Sequence, residues 1–228
     1  MRLLLAWNVA INLTAITDPA DLARRHVADS LTALDLIRAD QHATLLDLGS
    51  GGGFPGLPLA AALPASHVLL VDSTVKKAAF LDAARRAVGL AGRVAVAASR
   101  AEALAPAGAE EYQGARGGAR NGARHAGDGA GRDVVSARAV GSLDDLVELA
   151  LPLLAVGGRL VAWKRGDLSR ELAAAGRAGT ALGGGEPSVH PVPEALGLAG
   201  HALVVVRKER PTPAGFPRDQ AARRRRPW

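Results

Sequence analysis

No cysteine occurs in the 228 residues. That excludes disulfides, thiolate metal sites and any mechanism that needs a cysteine nucleophile. Aromatic residues make up only 3%, too few for an aromatic-rich lid over a small-molecule substrate. No apolar stretch approaches the ~20 residues of a membrane span. The opening "MRLLLAWNVAINLT" has an arginine and a short apolar run, as a signal peptide would. Asn8 and Asn12 interrupt that run early, so no signal is expected. Asn12-Leu13-Thr14 is a formal glycosylation sequon and reads as plain sequence in a chain expected to be cytoplasmic.

What is present is a hydrophobic fraction of 48%, which suits one domain with a real core. Lys plus Arg total 28 against 22 acids, a formal charge of +6. A basic balance points to a polyanionic partner, although a total says nothing of where the charge sits.

Asp18-Pro19-Ala20-Asp21 predicts a helix start, with Asp18 as N-cap and Pro19 at the first position. Val27, Leu31, Leu34 and Ile37 follow as an apolar stripe at helical spacing. "ATLLDLG" from Ala43 reads as a strand, Pro55 to Leu63 as a helix, and "HVLLVDS" from His67 as a strand. Lys76 to Val88 reads as a helix with Phe80, Leu81, Ala84 and Val88 on one side. "RVAVAA" and "RDVVSAR" are the third and fourth strands. Ser142 opens a capping-box-like helix through Leu154, and Gly157-Gly158 ends it. "RLVAWK" is a fifth strand. A helix from about Leu168 to Gly176 and a last strand, "HALVVVRK", complete the series. Strands alternating with helices mean α/β with a mainly parallel sheet.

Two stretches stand outside this pattern. Gly114 to Arg132, rich in Gly, Ala and Arg, reads as a disordered surface insertion. The ending "PRDQAARRRRPW" reads as a basic tail outside the core. One domain is therefore drawn over residues 1–210, with the insertion at about 106–132 and the tail at 211–228. Arg223 to Arg226 are either solvated or in contact with phosphates.

"LLDLGSGGGFPGLPLA", Leu45 to Ala60, is an apolar run that ends in an acid and continues in glycines. It predicts a strand turning sharply into a helix beside a nucleotide. Gly51, Gly53 and Gly56 satisfy the dinucleotide pattern G-x-G-x-x-G. Asp47, Gly49, Gly51 and Gly53 satisfy D-x-G-x-G-x-G, the pattern of S-adenosylmethionine (AdoMet) enzymes. Asp47 favours the second reading. A carboxylate two residues before Gly49 can hydrogen-bond the methionine part of that cofactor or the neighbouring backbone. Asp72 ends the second strand and can take both ribose hydroxyls in either fold.

Joined to other segments, the loop becomes specific. These are Trp7-Asn8, "NLT" at Asn12, "RHVADSL" from Arg25, "DSTVKKAAFL" from Asp72, "SRAEAL" from Ser99, "SARAV" from Ser136 and "GGRLVAWK" from Gly157. Together they resemble the ribosomal RNA small subunit methyltransferase G family, also called the glucose-inhibited division protein B family. The resemblance implies a Rossmann-like class I methyltransferase fold, with a mainly parallel seven-stranded sheet flanked by helices. It implies AdoMet as cofactor and methylation of N7 of one guanine in small-subunit ribosomal RNA. The partner is that RNA or the small ribosomal subunit, with no metal, no membrane and a monomeric enzyme. By the same resemblance, Gly49, Gly51 and Phe54 contact AdoMet, Asp72 and Ser73 face the ribose, and Ala101-Glu102 flank the adenine. Arg138 lies near the methyl group, as a cofactor contact and the catalytic candidate. Family members carry more helical sequence before the Trp7-Asn8 segment, and the Gly/Arg insertion is unusual in length.

The residues agree with that chemistry. Methylation of pyrimidine C5 commonly needs a cysteine. Methylation of exocyclic amines often uses an Asp/Asn-Pro-Pro-aromatic segment, where this chain has Ser136-Ala137-Arg138-Ala139. Guanine N7 already carries an in-plane lone pair, so the protein mainly has to align it. Arg138 either holds a phosphate or the guanine O6 edge, or forms a salt bridge to Asp47 or Asp72. Arg25 and Asp29, like His26 and Ser30, lie at i, i+4. They stand at the mouth of the site, with Arg25 and His26 as RNA contacts, or form a plain helix surface. Lys164-Arg165, past the fifth strand, is expected to meet RNA on the carboxyl edge of the sheet. Lys76-Lys77 reads as a solvated helix start and Trp7 as core. The alternative is a class I methyltransferase acting on another RNA or on a small molecule.

Overall fold

Helices and strands alternate in the computed structural model, in which residues 1–37, 43–104 and 131–228 are described. Seven strands, β1 (Thr44–Leu48), β2 (His67–Asp72), β3 (Val94–Ala98), β4 (Arg132–Arg138), β5 (Leu154–Arg165), β6 (Ser188–Pro191) and β7 (His201–Arg207), form one sheet. Their order is β3-β2-β1-β4-β5-β7-β6. The first five are parallel, whereas β7 is antiparallel to β5 and β6 to β7. The expected α/β class and mainly parallel seven-stranded sheet are therefore present. The chain winds outward from β1 to β3 and returns to β4 on the other side of β1. This reversal opens a crevice at the carboxyl ends of β1 and β4, where open α/β sheets bind ligands.

The sheet is buried on both faces. Leu46, Leu48, Leu69 and Val71 pack with helices α8 (Leu143–Ala150) and α9 (Ser169–Leu182). Leu45, Val68 and Leu70, one residue out of phase, pack with Leu4 of α1 (Arg2–Ile11), Leu59 of α5 (Gly56–Ala62) and Phe80 and Leu81 of α6 (Val75–Ala87). Two covered faces explain why β1 and β2 read as continuous apolar runs.

The expected helix start at Asp18 is present. Its Oδ1 accepts the Asp21 N–H at 2.9 Å and caps α2 (Pro19–Leu22). The buried stripe beyond it differs from the expected one. Leu22, Ser30, Ala33 and Ile37 are buried, whereas Val27, Leu31 and Leu34 are only partly so. A π-helical segment, Ala23–Ala28, separates α2 from α3 (Asp29–Leu31) and α4 (Leu34–Ile37), and shifts the register.

Other boundaries also moved. Val88 is 60% exposed and lies beyond the end of α6. The helix from Leu143 stops at Ala150, and Gly157-Gly158 lie inside β5. Ser142 makes no capping bond with its side chain; Glu171 Oε2 accepts the Leu143 N–H at 2.9 Å instead. Strand β6, a polar edge strand ending in Pro191, and helix α1 were not expected from periodicity. Most of the Gly/Arg insertion lies outside the described residues, but Arg132 is the first residue of β4 and pairs with Leu154.

The C-terminal segment corrects the expectation of a loose tail. It forms α10 (Gln220–Arg225) and packs back on the domain. Arg218 donates through Nε and Nη2 to Glu148, which is 0% exposed. The Trp228 indole N–H adds a bond to Glu148 Oε2 at 2.7 Å. Arg223, 6% exposed, pairs with Glu102 at 2.7 Å and Asp145 at 3.2 Å. Phe216 and Trp228 pack against the core on this face.

Candidate active site

A cleft of about 680 Å³ opens at the switch point. Gly49, Gly51, Phe54, Arg25, His26, Arg138, Lys164 and Arg165, all singled out from the sequence, line it. Thr14, Asp29, Val140, Trp163, Glu171 and His201 line it too. Its walls thus come mainly from the first 30 residues, the β1–α5 loop and the ends of β4 and β5, with Glu171 and His201 added from α9 and β7.

The glycine loop is shaped by backbone that side chains rarely allow. Gly49, Gly51 and Gly53 have φ of 67, 52 and 87°. A Cβ on Gly49 would sit 2.5 Å from Val140 Cγ2. A Cβ on Gly51 would meet only the Gly49 carbonyl, at 3.8 Å. Gly51 therefore presents bare backbone to open space, as close approach of a nucleotide requires, while Gly49 packs against Val140.

Asp47 does not face that space. It is 1% exposed, and Oδ1 accepts the Ser136 hydroxyl at 2.7 Å while Oδ2 accepts the Gly56 N–H at 3.1 Å. Ser136 is its register partner across β1 and β4. The carboxyl thus ties two strands to the start of α5. Of the two roles expected, binding cofactor or holding nearby backbone, the structure shows the second. Burial pushes its pKa up to about 6, against the hydrogen bonds that favour the charged form.

Asp72 ends β2 and receives the Gly51 N–H at 3.0 Å and the Thr74 N–H at 2.8 Å. Each oxygen keeps a second lone pair for a further donor. Ser73 next to it is exposed. Ala101 and Glu102 begin α7 (Ala101–Leu104), past the end of β3. Neither Asp72 nor these last three are among the cleft's lining residues.

Arg138 pairs with neither acid expected of it. Its Nη1 donates to Asp29 Oδ2 at 2.9 Å and to the Arg25 carbonyl at 3.2 Å. Asp29 is 2% exposed, and its backbone carbonyl accepts the Trp163 indole N–H at 2.9 Å. His201 Nδ1 lies 3.2 Å from Asp29 Oδ1. The strand registers Arg138↔Trp163 and Arg165↔His201 bring these groups to one edge. Ala139 then turns the chain with φ of 58°.

His26 completes the wall. Its ring stacks on Phe54 with centroids 4.7 Å apart, and the Arg138 guanidinium lies 5.4 Å from the Phe54 centroid. Nδ1 sits 3.2 Å from Arg138 Nη2, and Nε2 sits 2.7 Å from Thr14 Oγ1. A guanidinium only donates, so Nδ1 accepts and the proton belongs on Nε2. Burial, and after it the Arg138 charge, lowers the imidazole pKa. A neutral ring with its lone pair already used is a poor base. Thr14 is itself fixed by Asn8, whose Oδ1 accepts the Leu13 and Thr14 N–H groups at 2.6 and 2.8 Å.

The family model for rRNA small subunit methyltransferase G matches residues 1–195. The chain belongs to that family. It is 41% identical over 224 residues to the ribosomal RNA small subunit methyltransferase G of Roseiflexus castenholzii, covering 97% of this chain and 86% of that protein. Against the protein of that name from Chloroflexus aggregans it is 42% identical over 225 residues, covering 98% and 85%. A solved SAM-dependent O-methyltransferase of Thermotoga maritima shares the fold, with a TM-score of 0.55 at 14% identity, over 92% of this chain and 72% of that one.

Membership gives the cofactor as AdoMet, and the residues fit it. The bare Gly49–Gly51 loop suits a nucleotide-like ligand, and Asp72 has lone pairs for ribose hydroxyls. The RNA-facing candidates are less uniform. Lys164 Nζ is held by Glu171 at 2.5 Å and by the Gly141 carbonyl at 3.0 Å, so its charge is engaged; Arg165 is exposed. Trp7 packs on Phe80 at 5.8 Å, as expected of core. No group of residues among those described could hold a metal ion, and none of the described helices is long and apolar enough to cross a membrane.

Proposed function

We propose that the chain transfers the methyl group of AdoMet to N7 of a guanine in small-subunit ribosomal RNA. The observation that carries this is family membership together with a switch-point cleft that has a bare glycine loop on one wall and an arginine–carboxylate pair on the other. When bound, the cofactor supplies an electrophilic sulfonium methyl. Gly49, Gly51 and Phe54 would contact it, Asp72 and Ser73 would hold its ribose, and Ala101 and Glu102 would flank its adenine. Arg138, fixed by Asp29, orients the guanine through O6 or a flanking phosphate, and Arg25 and Arg165 meet the RNA backbone.

No proton needs to leave N7 before it attacks. His26 is not poised as a base, because it spends its free nitrogen on Arg138. Positioning must supply most of the rate. The same reading makes the protein a cytoplasmic monomer. Incubation with tritiated AdoMet and small subunits from a strain lacking the gene, followed by nucleoside analysis, tests it. The expected product is 7-methylguanosine at one position. Label in any other nucleoside, or none in the RNA, overturns the assignment.

A further inference from the structure

We propose that α10 is an RNA-phosphate clamp on the rim of the cleft, anchored by Arg218 and Arg223 and binding through Arg224, Arg225 and Arg226. The inference rests on the ribosomal RNA reading above and adds a contact surface to it. Four consecutive arginines look equivalent in sequence, but the structure divides them. Arg223 is buried and neutralised by Glu102 and Asp145. Arg224, Arg225 and Arg226 are exposed. Among the described residues no acid pairs with them.

The placement matters as much as the charge. Asp145, one partner of Arg223, precedes Leu146, which lines the cleft, and lies beside the cleft residue Gly141. Glu102, the other partner, begins the helix that follows β3. The helix is thus anchored beside the cleft, on the edge of the sheet where β3 and β4 end. Its cations are held on an ordered frame by Arg218 and Glu148, so little chain entropy opposes contact. Three free guanidinium groups at fixed spacing suit the phosphates of a folded RNA.

The test compares wild type with R224Q/R225Q/R226Q and R224K/R225K/R226K. Gln and Lys match Arg in helix propensity, so α10 is retained. Binding to small-subunit ribosomal RNA is measured from 50 to 300 mM salt, alongside AdoMet titration and thermal melting. For the Gln variant we expect a salt slope lower by about 2–3 units, at roughly 0.7–0.9 per phosphate. Its AdoMet affinity and melting should match wild type, and the Lys variant should keep the slope. An unchanged slope in the Gln variant, or an equal loss in the Lys variant, overturns the clamp. Failure of wild type to methylate ribosomal RNA would overturn the proposed function instead, so the two failures are separable.

Discussion

Removing Arg218 should release the C-terminal segment. Glu148 is fully buried, and its carboxylate is satisfied almost entirely from that segment: the Arg218 guanidinium and backbone N–H, and the Trp228 indole N–H. Burial pushes the Glu148 pKa up, but these donors outweigh it and the net shift is downward. Arg218→Ala leaves the acid buried with only neutral donors. Breaking one partner out of a buried pair costs about 3–5 kcal/mol. Arg218 is itself 23% exposed, so the low end, about 3 kcal/mol, applies. The chain has a way to limit that cost, because undocking residues 212–228 gives Glu148 back to water. The penalty should therefore appear as local opening rather than as global unfolding. About 3 kcal/mol is roughly a hundredfold rise in the open population, at ~1.4 kcal/mol per tenfold. Trypsin cleavage after Arg223 to Arg225 tracks that population while closing outpaces cutting. We expect cleavage there to accelerate about 10²-fold in Arg218→Ala. Glu148→Gln/Arg218→Ala should recover much of it, because a buried amide carries no charge. A change below threefold in the single variant would show that the pair does not hold the segment.

Further outcomes are expected. Gly49→Val forces a β-branched residue to φ of 67° with its Cβ against Val140. It should abolish AdoMet binding in calorimetry while far-UV circular dichroism stays native, and wild-type affinity would refute the cradle. Asp47, raised to about 6 from 3.8, binds its proton more tightly folded than unfolded. Its contribution is therefore greatest below about pH 4 and is lost as pH rises through about 6, by roughly 3 kcal/mol at most; urea melts of Asp47→Asn should lack this component. The single-turnover methyl-transfer rate should be flat from about pH 7 to 9, since attack by N7 needs no base. His26→Ala should weaken RNA binding more than it slows chemistry, and a log-linear pH rise abolished by that substitution would point away from N7.

The sequence showed best what is local. Burial on both faces makes β1 and β2 apolar runs, and a left-handed turn leaves glycines at fixed offsets, so strand, loop and α5 were legible from Leu45 to Ala60. Asp18 capping its own helix was equally plain. The misses share a cause of the opposite kind. Arg138 finds Asp29 across 109 residues and Arg218 finds Glu148 across 70. No period or spacing reports such pairs. The Arg/Asp spacing in "RHVADS" hinted at a surface pair within one helix, but the partner of Asp29 is set by the β4 register. A run of four arginines read as uniform because composition cannot separate a buried anchor from an exposed contact.

The same limit explains why Asp47 carried two readings. An acid before the glycines suits either a ligand or the loop's own amides. Only the register Asp47↔Ser136, with the Gly56 N–H on the other oxygen, assigns it to the loop. The acid is therefore expected to act on the cofactor only through the shape of the glycine turn. This separates two effects that the sequence merges. Substitutions at Asp47 should alter AdoMet affinity only as far as they move the loop, whereas those at Asp72 should alter it both through the Gly51 N–H and directly. Asp47→Asn can still accept the Gly56 N–H and donate to Ser136. It should therefore bind AdoMet within about threefold of wild type, while Asp72→Ala, which removes the proposed ribose acceptor and also frees the Gly51 and Thr74 N–H groups, should lose far more. Equal losses from both would place the Asp47 carboxyl in the pocket and refute the assignment.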